Sequence, residues 1–241
     1  MMIIKNLTVS VAEKKILDDI SFSFEKNKVY ALMGPNGSGK STLAYTLAGH
    51  PAYVLSKRSR IKYQSIDIGS LTADKRAKKG IFLSFQSPLS LNGVTVFQLL
   101  RLALSGKKDP VAIKREMEKL GKELKIKPEL LKRSLNEGAS GGEKKKLELL
   151  QAVILGAEFL IFDEIDTGVD VDALKTIATY LDSIKKGKTV LLITHYNRIL
   201  KYIKPDKVVV LVNGQIVKTG DHKLAEEIEA NGYTKYQKHI G

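Results

Sequence analysis

The sequence predicts an α/β fold with a mostly parallel central sheet, and three observations carry that expectation. Short continuous apolar runs, Val29–Met33, Phe159–Phe162 and Thr189–Ile193, alternate with longer helical stretches, the pattern of strands buried on both faces. A glycine-rich run, Gly34 to Ser41, follows the first of these strands and opens a helix. Finally, Asn213-Gly214 joins Val208–Val212 to Gln215–Thr219, a strong short-range hairpin signal.

In chain order, residues 2 to 33 read as short strands, including Ile3–Val9 and Ile20–Phe24, with Val29–Met33 ending on Gly34. Lys40–Leu47 continues as a helix. Ile81–Phe85 is the next strand, and two helical stretches follow it, Val94–Leu104 and Val111–Leu124, separated by Gly106-Lys107-Lys108-Asp109-Pro110. Together these form a small helical lobe. Then come a helix over Gly142–Leu155, the strand Phe159–Phe162, a helix Val171–Lys185, the strand Thr189–Ile193 and the hairpin. Lys223–Gly241 reads as a helix with a polar tail. No internal repeat or heptad run interrupts the pattern.

The chain has 241 residues and a formal net charge of +14, from 40 Lys plus Arg against 26 Asp plus Glu. The lysines are scattered, which favours a solvated basic surface over a nucleic-acid stripe. Cysteine is absent, which excludes disulfides, thiolate metal sites and thiol nucleophiles. The longest nearly apolar run, Ala152–Phe162, is about half a bilayer span and contains Glu158. The N-terminus has no charged-then-apolar signal pattern, so a cytoplasmic protein with no membrane insertion is expected.

Residues Gly34, Pro35, Asn36, Gly37, Ser38, Gly39, Lys40 and Ser41 satisfy G-x-x-x-x-G-K-[ST], with Thr42 continuing into the helix. Glycines permit the tight loop, and its backbone N–H groups and helix start suit ATP phosphates. Lys40 is suited to the β and γ phosphates and Ser41 to Mg²⁺. The strand Phe159–Phe162 runs directly into Asp163 and Glu164. An open α/β sheet places ligand-facing groups at the carboxyl ends of its strands, so Asp163 can hold Mg²⁺ and Glu164 can polarise the attacking water. Ser140-Gly141-Gly142-Glu143 opens another helix and offers a second anion-binding end. Within one chain that end is redundant for the same ATP, whereas a head-to-tail pair of chains would use both.

With these motifs the sequence resembles the ATP-binding-cassette (ABC) ATPases, and the resemblance spans nearly the whole chain. It implies a P-loop fold with an N-terminal antiparallel β subdomain and an inserted helical subdomain. The expected division is a core of residues 1–86 and 137–222, a helical subdomain of 87–136 and a C-terminal segment of 223–241. It also implies that Gln86 joins the Mg²⁺ site and couples it to the helical lobe. His195 acts as the γ-phosphate switch, and Asp170, in the loop from Thr167, lies between paired subunits. The signature set Ser140, Gly141, Gly142 and Glu143 then acts on the partner's ATP. The aromatic that stacks on adenine in the family is missing, since Val11 occupies the expected position.

Several segments depart from the transporter pattern. Glu143-Lys144-Lys145-Lys146 follows the signature glycines in place of Gln and an Arg-rich helix, and Asp163-Glu164-Ile165-Asp166 replaces Asp-Glu-Pro. In this wording the chain is similar to the ATPase subunits of SUF iron-sulfur cluster assembly systems. That implies SufB-like and SufD-like scaffold partners, engaged through residues 86–133, and a transient homodimer on ATP binding. A chain without cysteine is poorly suited to hold a cluster itself. The alternatives are a transporter ATPase subunit and a nucleic-acid-associated ATPase. One local expectation is a latch in which Lys145 pairs with Glu164 and Asp166 and keeps Glu164 from its water; the alternative is three solvated charges.

Overall fold

Strands covered on both faces need continuous apolar sequence, and in the computed structural model, which describes residues 1–194 and 198–237, those runs form one sheet. The chain opens with β1 (Met2–Val11), β2 (Lys14–Phe24) and β3 (Lys28–Met33), followed by α1 (Lys40–Ala48). Short elements come next: β4 (Val54–Leu55), β5 (Arg60–Tyr63), β6 (Ile66–Asp67) and α2 (Ala73–Lys78). β7 (Ile81–Ser84) and β8 (Leu91–Thr95) lead into α3 (Val96–Ala103), α4 (Pro110–Glu123), α5 (Pro128–Lys132) and β9 (Ser134–Leu135). The remainder comprises α6 (Gly141–Ile154), β10 (Phe159–Asp163), α7 (Val171–Ile184), β11 (Thr189–Ile193), a 3₁₀ turn (Ile199–Lys201), β12 (Lys207–Val212), β13 (Gln215–Gly220), α8 (His222–Asn231) and α9 (Thr234–Gln237).

The main sheet has the order β13-β12-β3-β11-β10-β7, parallel except for β13. Its central strands are buried along their whole length. One face packs Leu160, Phe162, Val190 and Leu192 against α6 and α7. The other packs Phe159, Ile161, Leu191 and Ile193 with α1 and the sheet formed by β1 and β2. That second sheet is antiparallel, with order β2-β1-β5-β6 and β4 beside β1. Phe159 joins the two, its ring edge-on to Phe24 at 5.5 Å and to Tyr63 at 6.1 Å. α3, α4 and α5 pack on one another, and α3 and α4 also on α6.

The structure differs from the sequence expectation in several places, among them a third lobe helix, α5, and the short α9 where a polar tail was expected. The strand expected at Ile20–Phe24 runs from Lys14, because β2 keeps pairing with β1 across irregular register at Leu7 and Val9 that breaks the simple alternation. The helix expected from Val94 starts at Val96, since Thr95 caps it reciprocally with Gln98 and residues Leu91–Thr95 pair with β9 instead. Residues 50–80, unassigned from sequence, hold β4 to β6 and α2, whose runs are too short for periodicity to register.

The strand order fixes the site. Reading β3, β11, β10 and β7 along their carboxyl ends gives Gly34, Thr194, Asp163 with Glu164, and Phe85 with Gln86. Residues far apart in sequence therefore share one edge.

Phe159→Ala should destabilise the chain by about 3–5 kcal/mol through the cavity it leaves between the two sheets, measured as a lower urea midpoint.

Candidate active site

β3 delivers Gly34 to the sheet edge and α1 starts at Lys40. Gly39 takes φ 101°, and a Cβ there would come within 2.6 Å of Leu17 Cδ2, so only glycine fits the turn. No side chain caps α1, so its first amides are left for an anion. The Ser38 hydroxyl beside them is buried and has no hydrogen-bond partner among the described residues. Lys40 is 5% exposed, and its Nζ donates to the carbonyls of Gly34 and Pro35, both at 2.9 Å. Burial lowers its pKa to about 8 against the opposing pull of Glu164 and Asp163. Pro35, Asn36, Gly37, Gly39, Lys40, Ser41 and Thr42 line a cleft of about 1000 Å³ together with Gln86 and Glu164.

Asp163, at the end of β10, is fully buried, and neither carboxylate oxygen has a close hydrogen bond among the described residues. Burial raises its pKa, while the neighbouring Ser41 hydroxyl pulls it down. A buried carboxylate with only a neighbouring hydroxyl to offset its charge fits a divalent cation. Among the described residues no group of three His, Cys, Asp or Glu could hold a metal alone.

Glu164 adopts φ 50°, a left-handed conformation that costs a non-glycine residue free energy. Its N–H donates to the carbonyl of Ile193 at 2.9 Å. Its carboxylate accepts from Gln86 Nε2 at 2.7 Å and Thr167 Oγ1 at 3.3 Å. Gln86 and Glu164, 78 residues apart, are thus in direct contact. His195 lies outside the described residues.

The signature segment sits elsewhere. Ser140 caps α6 through a reciprocal pair with Glu143, at 3.3 and 2.9 Å. A Cβ at Gly141 would fall 2.4 Å from the carbonyl of Gly168, so glycine permits α6 to abut the loop that carries Asp170. Asp170 caps α7, accepting from the Ala173 N–H at 2.8 Å. Ser140, Glu143 and Asp170 line a separate cleft of about 870 Å³, and none of them lines the Gly34–Thr42 cleft.

The expected latch is not formed. Lys145 is buried and pairs with Glu148 at 3.3 Å, and it also donates to Ser84 Oγ and the Phe85 carbonyl. Glu148 in turn accepts from Ser84 Oγ at 2.5 Å and the Phe85 N–H at 3.2 Å. Asp166 accepts from Thr194 Oγ1 at 2.8 Å. The reason is helical geometry: Glu148 lies one turn after Lys145 on the same buried face, within reach without any loop movement.

Comparison with known proteins agrees with this geometry. The family model described as ABC transporter matches residues 17–167. "Probable ATP-dependent transporter SufC" of Escherichia coli (strain K12) is 43% identical over 242 residues and covers 97% of each chain. The chain belongs to the ABC transporter family. "Probable ATP-dependent transporter ycf16" of Trieres chinensis is 42% identical over 240 residues, 95% of each chain. The crystal structure of the ADP conformation of an ATP-binding cassette of an ABC transporter superposes with a TM-score of 0.79 at 27% identity, covering 100% of this chain and 98% of that one. This ABC ATPase is therefore a nucleotide-binding, ATP-hydrolysing domain with the cassette fold.

Three residues of the cleft escaped the sequence reading: Lys14, Ile16 and Tyr233. Val11 is not among the lining residues. Ile16 takes the wall beside Gly39, its Cγ2 3.6 Å from a Cβ built there, because the Ala12-Glu13 turn, with both φ values positive, sends β2 back across the loop. No spacing rule connects Tyr233 to Gly34, 199 residues away.

Two outcomes follow from the geometry. The Lys40 charge is needed to attract phosphate and is lost above its lowered pKa, so kcat/KM should fall as pH rises through about 8, read from a pH–rate profile. Glu164→Gln should cut kcat by about 10²–10⁴-fold with ATP binding retained, measured by phosphate release and equilibrium titration.

Proposed function

We propose that this ABC ATPase works as a head-to-tail pair of chains, each presenting its Ser140 end of α6 to the ATP held by the other. The observation that carries this is the separation of the two clefts: one chain lines its nucleotide site with Pro35–Gly37, Gly39–Thr42, Gln86 and Glu164, and its Ser140 end of α6 lines a different cleft.

In this reading ATP draws Lys40 away from the Gly34 and Pro35 carbonyls onto its β and γ phosphates. Ser41, Asp163 and Gln86 would hold Mg²⁺, which neutralises charge on the phosphates. Glu164 accepts hydrogen bonds from Gln86 and Thr167 in this state; closure of the pair turns its carboxylate to the attacking water, whose proton it takes. His195 is assigned the γ-phosphate contact, and Asp170 stands beside Ser140 and Glu143 where the second chain would meet it.

The work done is remodelling of SufB-like and SufD-like scaffolds during iron-sulfur cluster assembly in the cytoplasm. The relative named SufC supports it, and so does the absence of cysteine, which leaves cluster ligation to partners. An apolar strip next to Gln86 supports a protein partner: Leu89 is 65% and Leu91 40% exposed, beside Phe85 and Val94. A second reading, the ATPase subunit of a transporter, is favoured by the words "ATP-dependent transporter" in the relatives' names, and a permease would use the same strip. No helix among the described residues is long and apolar enough to cross a membrane.

Affinity purification from the native host, with and without ATP, separates the two. SufB-like and SufD-like chains in the eluate, with cluster formation on reconstitution, are the expected result; a permease overturns it. Glu164→Gln should sediment as a dimer with ATP and as a monomer with ADP.

A further inference from the structure

The C-terminal segment forms part of the nucleotide cleft. After α8, Gly232 turns the chain and α9 anchors Tyr236 in the core with Ala31, Met33 and Val208. Between those fixed points, Tyr233 reaches the start of the phosphate-binding loop, where its hydroxyl accepts the Gly34 N–H at 3.1 Å. Tyr233 lines the same cleft as Pro35, Asn36, Gly37 and Lys40.

Two features make this hydroxyl more than a brace. It accepts one bond, and its own proton goes to no hydrogen-bond partner among the described residues, although a half-buried phenol ordinarily finds an acceptor. Burial raises its pKa, so at neutral pH it is an O–H donor, never a phenolate that would repel an anion. The second feature is its neighbour. Lys40 Nζ lies 2.9 Å from the carbonyl oxygen of Gly34, the residue whose N–H Tyr233 accepts. An ammonium and an unspent hydroxyl therefore flank the first residue of the loop, and in this motif the lysine takes the β and γ phosphates.

We propose that Tyr233 is a phosphate-recognition residue: when ATP displaces Lys40 from the Gly34 carbonyl, the Tyr233 hydroxyl donates to an oxygen of the terminal phosphate. The C-terminal segment thereby distinguishes ATP from ADP. This rests on placing the nucleotide in the Gly34–Thr42 cleft. Sequence position gave no hint of it, since the segment follows every motif that carries the chemistry.

The test is isothermal titration of the full chain with Mg²⁺ plus either adenylyl-imidodiphosphate or ADP. Tyr233→Phe, which removes one oxygen, should weaken the triphosphate analogue by about tenfold, the size of a lost hydrogen bond to a charged group, and leave ADP affinity within twofold. Unchanged ADP binding also shows that the variant folds. Equal weakening of both ligands would reduce Tyr233 to a loop brace and overturn the proposal, as would no change in either. Lys40→Ala serves as the control for the cleft. If it binds both nucleotides as wild type does, the nucleotide lies elsewhere, and the proposal falls with that placement.

Discussion

The site is organised around polar groups that the fold buries and leaves without full compensation. Lys40 is held by two carbonyls instead of a carboxylate, and among the described residues the two buried oxygens of Asp163 and the buried Ser38 hydroxyl have no close hydrogen-bond partner. Burying such groups costs free energy, and the hydrophobic packing of the sheet on both faces supplies it. The arrangement is complementary to a ligand carrying negative charge and a divalent cation, which would satisfy all three groups together. The strained backbone at Glu164 belongs to the same pattern, because it is kept in place by the Ile193 carbonyl on the neighbouring strand.

A second constraint ties the signature helix to this centre. Lys145 and Glu148 on α6 hold both backbone groups of Phe85 and the Ser84 hydroxyl, and the next residue, Gln86, contacts Glu164. A buried ion pair contributes little net stability, yet losing one partner is costly. Its effect here is geometric: α6 is tied to the root of the Gln86 segment directly by hydrogen bonds. Phe85 is also partly exposed, so one short segment meets solvent, the signature helix and the Glu164 carboxylate.

Much of this was legible in the chain. Gly34–Ser41, Phe159–Glu164 and Ser140–Glu143 are local motifs whose spacing is set by a loop, a strand end and a helix start, and each is found where its pattern places it. The Lys145 pairing was misread because Glu164 and Asp166 were taken as its partners, whereas the buried face of α6 selects Glu148. Ile16 was missed because bulges in β1–β2 shift which residue meets the loop. Tyr233 was missed because contact across 199 residues leaves no local trace.

By itself, then, the sequence determined the fold class, the glycine-rich loop, the acidic pair and the second glycine-flanked helix start, because backbone conformation and local spacing encode each of them. The tertiary structure decided which of these share a cleft. Strand order brings β3, β11, β10 and β7 to one edge, while α6 carries Ser140 to a different one. Side chains meet across that edge through packing of distant elements, and no periodicity along the chain records it.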